Sequence, residues 1–255
     1  MQDGGARADS LTVAAWIDDM NLVKSLYSGS DQSSLFGRPS WAAAAQGHLD
    51  ILKFLLSEDA LPYEPNYVSG PTFELWKSPL GTAAYVGRDT IVEFYMQLPY
   101  CSSQIQPDET LFIYFAAQAN QANTLKILLD RYKKITTTQE FLYNVDGVLK
   151  SACSRGAADS GRVLLDYRAD VNETDSGPYP CLQLAAISGS TPLVKILLEA
   201  DTSSEAPHMC RKRAYVACLH MGGHKQALRE AKRKGFTEIA TLIEERKLKP
   251  PEYFL

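Results

Sequence analysis

Seven times along the chain, a doublet that begins with Ala, its second residue small in all but the last, is followed three positions later by a residue that tolerates left-handed backbone. Ala43-Ala44 lead to Gly47, Ala83-Ala84 to Gly87, Ala152-Cys153 to Gly156 and Ala185-Ala186 to Gly189. Ala116-Ala117 lead to Asn120, Ala14-Ala15 more loosely to Asp18, and Ala231-Lys232 to Gly235. After each break comes an apolar group at helical spacing: LVKSL, ILKFLL, IVEFYM, LKILL, RVLLDY, LVKILL, IATLI. The doublets begin at 14, 43, 83, 116, 152, 185 and 231, at intervals of 29, 40, 33, 36, 33 and 46. Two intervals equal 33, and the others read as that length with insertions or a deletion. Self-similarity at such a period confines the chain to a stack of near-identical units, each contacting its neighbours, rather than one closed core.

The letters have physical reasons. Small residues are selected where one helix must approach the next closely. Glycine after a helix supplies the left-handed cap that ends it. The Leu/Ile groups of the following helix fill the layer between units, and proline, as in Ser78-Pro79, suits the first position of a helix. The expectation is helix pairs throughout, with packing accounting for nearly every Ala, Leu and Gly of the pattern.

These motifs resemble the ankyrin repeat family. Ser78-Pro79-Leu80-Gly81 stands where that family has Thr-Pro-Leu-His, and Arg38-Pro39-Ser40-Trp41 is a more degraded version. Gly47-His48-Leu49-Asp50-Ile51-Leu52 matches the family's start of the second helix. Arg168-Ala169-Asp170-Val171-Asn172 matches its Gly-Ala-Asp-Val-Asn tail. The resemblance covers about residues 11–246. It implies an all-α solenoid of about seven helix-turn-helix units with finger loops. The expected organisation is a tail at 1–10, a single repeat domain at 11–246 and a tail at 247–255. Insertions at 57–77 and 202–225 would go to one face of the stack, often the binding face. The resemblance also explains His48 as a cap residue hydrogen-bonded to the neighbouring unit.

In this family the two positions after each doublet face a concave groove. Here they include Trp16, Ile17, Ala45, Tyr85, Val86 and Ala119, where solvent alone would favour polar residues. The candidate binding residues in groove and fingers are therefore Trp16, Trp41, Trp76, Tyr85, Tyr114, Gln118, Tyr143, Arg155 and Tyr179. A protein partner is the first reading. The second is a small-molecule binder or an isomerase- or cyclase-like enzyme, with Trp41, Trp76, Tyr85 and Tyr114 as walls and Arg155 stabilising negative charge. No standard catalytic motif is present, no nucleophile, base and orienter can be assembled, and no cofactor is expected.

Residues 211–234 hold eight Lys/Arg and one Glu, a local +7 that leaves about −11 elsewhere. A solvated polar face on the last unit accounts for it. Net charge is −4, so nucleic acid is not an expected partner. His208, Cys210, Cys218, His220 and His224 share one window, but their spacing matches no zinc pattern, and no metal is expected. The opening MQDGGARADS lacks the apolar core of a signal peptide, and no apolar run is long enough to span a membrane. Five irregularly spaced cysteines fit a reduced protein. The expected location is the cytoplasm, with the nucleus open.

Overall fold

The computed structural model describes residues 3–27, 38–58, 78–98, 109–171, 180–203 and 223–247. Among these residues every element is an α-helix, and the helices fall into antiparallel pairs joined by short breaks. The pairs are α1 (Asp3–Trp16) with α2 (Met20–Leu26), α3 (Pro39–Gln46) with α4 (Leu49–Glu58), and α5 (Pro79–Val86) with α6 (Asp89–Gln97). Then come α7 (Glu109–Gln118) and α8 (Ala122–Ile135), followed by the pairs α9 (Thr138–Arg155) with α10 (Ala158–Asp166) and α11 (Cys181–Ser188) with α12 (Thr191–Ser203). The last is α13 (Gly223–Lys234) with α14 (Thr237–Lys247). The inserted segments 57–77 and 202–225 lie largely outside the described residues.

The chain divides into two compact units, Met1–Ala116 and Ala117–Leu255. In the first, the leading helices pack in series, α1 on α3 and α3 on α5. Their trailing partners meet through side chains: Tyr27 and Phe54 stack edge-on at 5.6 Å, and Lys53 lies 5.6 Å from the Phe94 ring centre. In the second unit, α9, α11 and α13 form the leading layer and α8, α10, α12 and α14 the trailing one.

The doublets explain the close packing of the leading layers. Ala14, Ala15, Ala43, Ala44, Ala83, Ala84, Ala152, Cys153, Ala185 and Ala186 are all fully buried. Behind them, Ile51, Leu52, Ile91, Leu125, Leu129, Leu164, Leu193, Leu197, Ile239 and Ile243 of the trailing helices fill the layer. Lys232, the second residue of the last doublet, is instead exposed and pairs with Glu244 at 2.6 Å. A charged residue at that position suits a face that no described helix covers.

All seven breaks adopt left-handed backbone. The φ values are 92° at Gly47, 81° at Gly87, 72° at Gly156, 80° at Gly189 and 76° at Gly235, with 65° at Asp18 and 59° at Asn120. Asp18 and Asn120 do what glycine does elsewhere, as short polar side chains can. Asn120 adds a further contact: its Nδ2 donates to Asp159 at 2.9 Å, and its Oδ1 accepts from the Ser160 amide at 3.0 Å. It thereby satisfies an otherwise open donor in the first turn of α10. Arg168 also has positive φ, 69°, at the place the Gly-Ala-Asp-Val-Asn pattern gives to glycine.

One joint departs from the rest. α8 and α9 are connected through Thr136 and Thr137 alone, with no finger between them. Thr137 caps α9 by accepting from the Glu140 amide. α9 runs 18 residues, so Tyr143 lies on a helix rather than on a loop. Phe141 packs between Tyr132 and Tyr167 at ring separations of 6.0 and 6.2 Å, and Asn144 donates to the Tyr132 hydroxyl.

Two kinds of substitution test this packing. Ala83→Leu and Ala185→Leu should each overpack a helix contact and cost about 1–3 kcal/mol in urea unfolding. Gly189→Ala places a methyl 2.8 Å from Phe236 Cζ, whereas at Gly235 a methyl meets nothing within 4 Å. Both pay the left-handed penalty of about 1–2 kcal/mol; Gly189→Ala should be clearly the worse of the two.

Candidate functional site

The side chain one position past the buried doublet occupies one register on every leading helix. In the amino-terminal unit these are Trp16, Ala45 and Tyr85, on α1, α3 and α5, which pack in that order. Trp16 and Tyr85 are each 52% exposed, and their neighbours Ile17 and Val86 are 58% and 38% exposed. Large apolar side chains left open in a contiguous row mark a surface suited to binding. Ala45 between the two rings leaves a low floor. One turn earlier on α3 stands Trp41, half-buried, with the Arg38 guanidinium 5.9 Å from its ring centre. Thr12 and Gly81, the matching positions on α1 and α5, are buried.

The backbone beneath this row is fixed from the adjacent helix pair. His48 Nε2 lies 3.0 Å from the Trp16 carbonyl oxygen. A carbonyl can only accept, so the contact is a hydrogen bond with Nε2 as donor, and Nδ1 faces the Asp18 carboxylate at 3.4 Å. Arg88 Nε donates to the Ala45 carbonyl at 2.9 Å, and its stem packs against Gly47. In the other unit Lys234 Nζ donates to the Ile187 carbonyl at 2.7 Å. Trp16, Ala45 and Ile187 are equivalent positions, so three different side chains perform one task. Each satisfies a carbonyl in a last helical turn, where no intrahelical donor remains.

In the carboxy-terminal unit, α9 carries the corresponding face. Ser151 accepts from Gln118 Nε2 at 2.8 Å on one side. Cys153 meets Cys181 of α11 on the other, a hydrogen bond that, with burial, raises the Cys153 thiol pKa well above its ordinary value. A buried thiol held protonated is unsuited to nucleophilic attack. Between these flanks run Tyr143, Lys150 and Ser154 at helical spacing. Tyr143 is 59% exposed and Lys150 is buried.

The structure thus places Trp16, Trp41 and Tyr85 on the successive leading helices α1, α3 and α5 of the amino-terminal unit. Tyr143 and Arg155 are both exposed on α9 of the other unit, Arg155 at its end. Tyr114 and Gln118 are half-buried on α7, Gln118 engaged with Ser151. Trp76 and Tyr179 lie outside the described residues, as do His208, Cys210, Cys218 and His220; His224 is half-buried at the start of α13. Sequence reasoning missed the clamps made by Arg88 and Lys234 and the burial of Lys150. Only the register, one residue after or before the break glycine, could have pointed to the clamps.

Residues 113–209 match the family model for ankyrin repeats, as three copies. The matched span takes in the end of α7 and the helices α8 to α12. No curated protein matches the chain.

If the carbonyl clamps hold adjacent pairs together, Arg88→Met should keep the packed stem and lose the donor, costing about 1 kcal/mol. Lys195→Met, which removes only the exposed 3.1 Å pair with Glu238, should cost no more than about 0.5 kcal/mol. Chemical denaturation of the two variants makes the comparison.

Proposed function

We propose that the protein is a binding module that holds a protein partner against the open face of its leading helices, in the cytoplasm or nucleus. Ankyrin repeats are generally protein–protein interaction modules. The observation that carries the reading is the exposure of Trp16, Ile17, Tyr85 and Val86, each just past a buried small-residue doublet. Aromatic side chains are the commonest anchors of protein interfaces. The clamps from His48 and Arg88 support it further, since a rigid backbone under an exposed ring lowers the ordering cost of binding. Among the described residues no helix is long and apolar enough to cross a membrane.

The test is site-specific photocrosslinking in cells. A photoreactive phenylalanine analogue at Tyr85 or Tyr143 should capture protein adducts. The same group at Lys53 or Glu93, exposed on trailing helices, should not. Equal capture from both faces would reject the assignment of the leading-helix face.

A further inference from the structure

We infer that the row Trp16–Ala45–Tyr85 seats an extended, net-basic segment of the partner, whose Arg or Lys side chains lie over the two exposed rings. The inference rests on the binding reading above and names the chemistry of its occupant.

Charge complementarity carries it. Residues 1–116 hold 14 Asp/Glu and six Lys/Arg, a net −8 within a chain whose total is −4. The acidic excess reaches the row itself. Asp18 follows Trp16 and Ile17 at the end of α1, with a side chain 62% exposed. Asp19 caps α2 by accepting from the Leu22 amide. Asp50 is exposed in the first turn of α4. Arg88, whose stem lies beside Gly47, donates its Nε–H to the Ala45 carbonyl rather than covering either ring. The row is thus apolar in its centre and negative at its edge.

Aromatic faces attract cations, Trp most strongly. The amino-terminal unit already uses this contact three times: Lys24 lies 5.8 Å from the Phe54 ring centre, Lys53 5.6 Å from Phe94 and Arg38 5.9 Å from Trp41. Among the described residues no cation lies over Trp16 or Tyr85, the most exposed aromatic rings of that unit. The rings that the unit leaves uncovered are those a partner's cations can reach.

Spacing limits the form of the segment. Packed helices stand about 8–10 Å apart, so two steps from α1 to α5 separate Trp16 from Tyr85 by roughly 16–20 Å. Extended chain covers this in about five or six residues. Ala45 is the low point over which the backbone passes.

The experiment selects random decapeptides against the immobilised full chain, then measures the winners by fluorescence anisotropy. Selected sequences should be net-basic, with two Arg or Lys positions about five or six apart. Affinity should fall with added salt. The Trp16→Ser/Tyr85→Ser double variant should weaken binding about tenfold or more, with an unchanged circular dichroism spectrum and melting midpoint. Ile135→Ser, at an exposed apolar residue on the trailing helix α8, should bind as the parent does. Asp18→Asn, which keeps a side chain suited to left-handed backbone, and Asp50→Asn should each weaken binding severalfold. Should the double variant fail to fold, Tyr85→Arg keeps bulk at the site, and its added charge should repel the same peptides.

Neutral or acidic winners that still depend on Trp16 and Tyr85 would overturn the basic occupant and leave the face reading standing. Winners indifferent to both rings, or no winners at all, would overturn this site. Self-association of the chain that competes with the peptide at Trp16 and Tyr85 would replace the partner segment with a second copy.

Discussion

The close contact of methyl-sized side chains between successive leading helices is the constraint on which the other features depend. Ala43, Ala44, Ala83 and Ala84 are wholly buried there, as are Ala152, Cys153, Ala185 and Ala186. A larger side chain would push neighbouring backbones apart and open the layer that Ile51, Leu52, Leu164 and Leu193 fill. The same requirement reaches the trailing layer, where a methyl added to Gly161 would lie 2.6 Å from Leu193 Cδ1. Once the doublet is fixed toward the neighbours, helical geometry fixes the rest. The residue just after the doublet must face away from the contact, and the chain must turn back two residues after that.

Polar joints then lock what packing has placed. His48, Arg88 and Lys234 reach carbonyls at equivalent positions, and Asn120 ties the break after α7 to the start of α10. These bonds run between helix pairs, so they contribute to the nearest-neighbour terms that dominate repeat proteins. Their chemical variety, imidazole, guanidinium, ammonium and amide, shows that the requirement is for a donor at a place, not for a particular residue.

That distinction accounts for what could be read in the sequence. The doublets, the breaks and the apolar groups were legible because sterics admits few residue types there. Even Asp18 and Asn120 stood in register, and their backbone is left-handed as the register demanded. The openness of Trp16 and Tyr85 followed from the same register. The clamps were not legible, because a donor on a flexible stem leaves no fixed letter. Nor was the burial of Lys150, which shares a face with exposed Tyr143 and Ser154. The short Thr136–Thr137 connection was hidden as well: the interval of 36 residues looked like an ordinary inserted loop, but its extra length is helix at the start of α9.

That connection has a consequence for how the chain acquires its structure. α8 and α9 are 14 and 18 residues long and joined by two residues, so their contacts are short in sequence. Tyr132, Phe141 and Asn144 meet across the turn without waiting for a distant segment. Closing so small a loop costs little entropy, and long helices outlast their own nucleation barrier better than the seven- and eight-residue helices elsewhere in the chain. In a stack where order spreads from neighbour to neighbour, contacts this local are among the least costly in entropy to form.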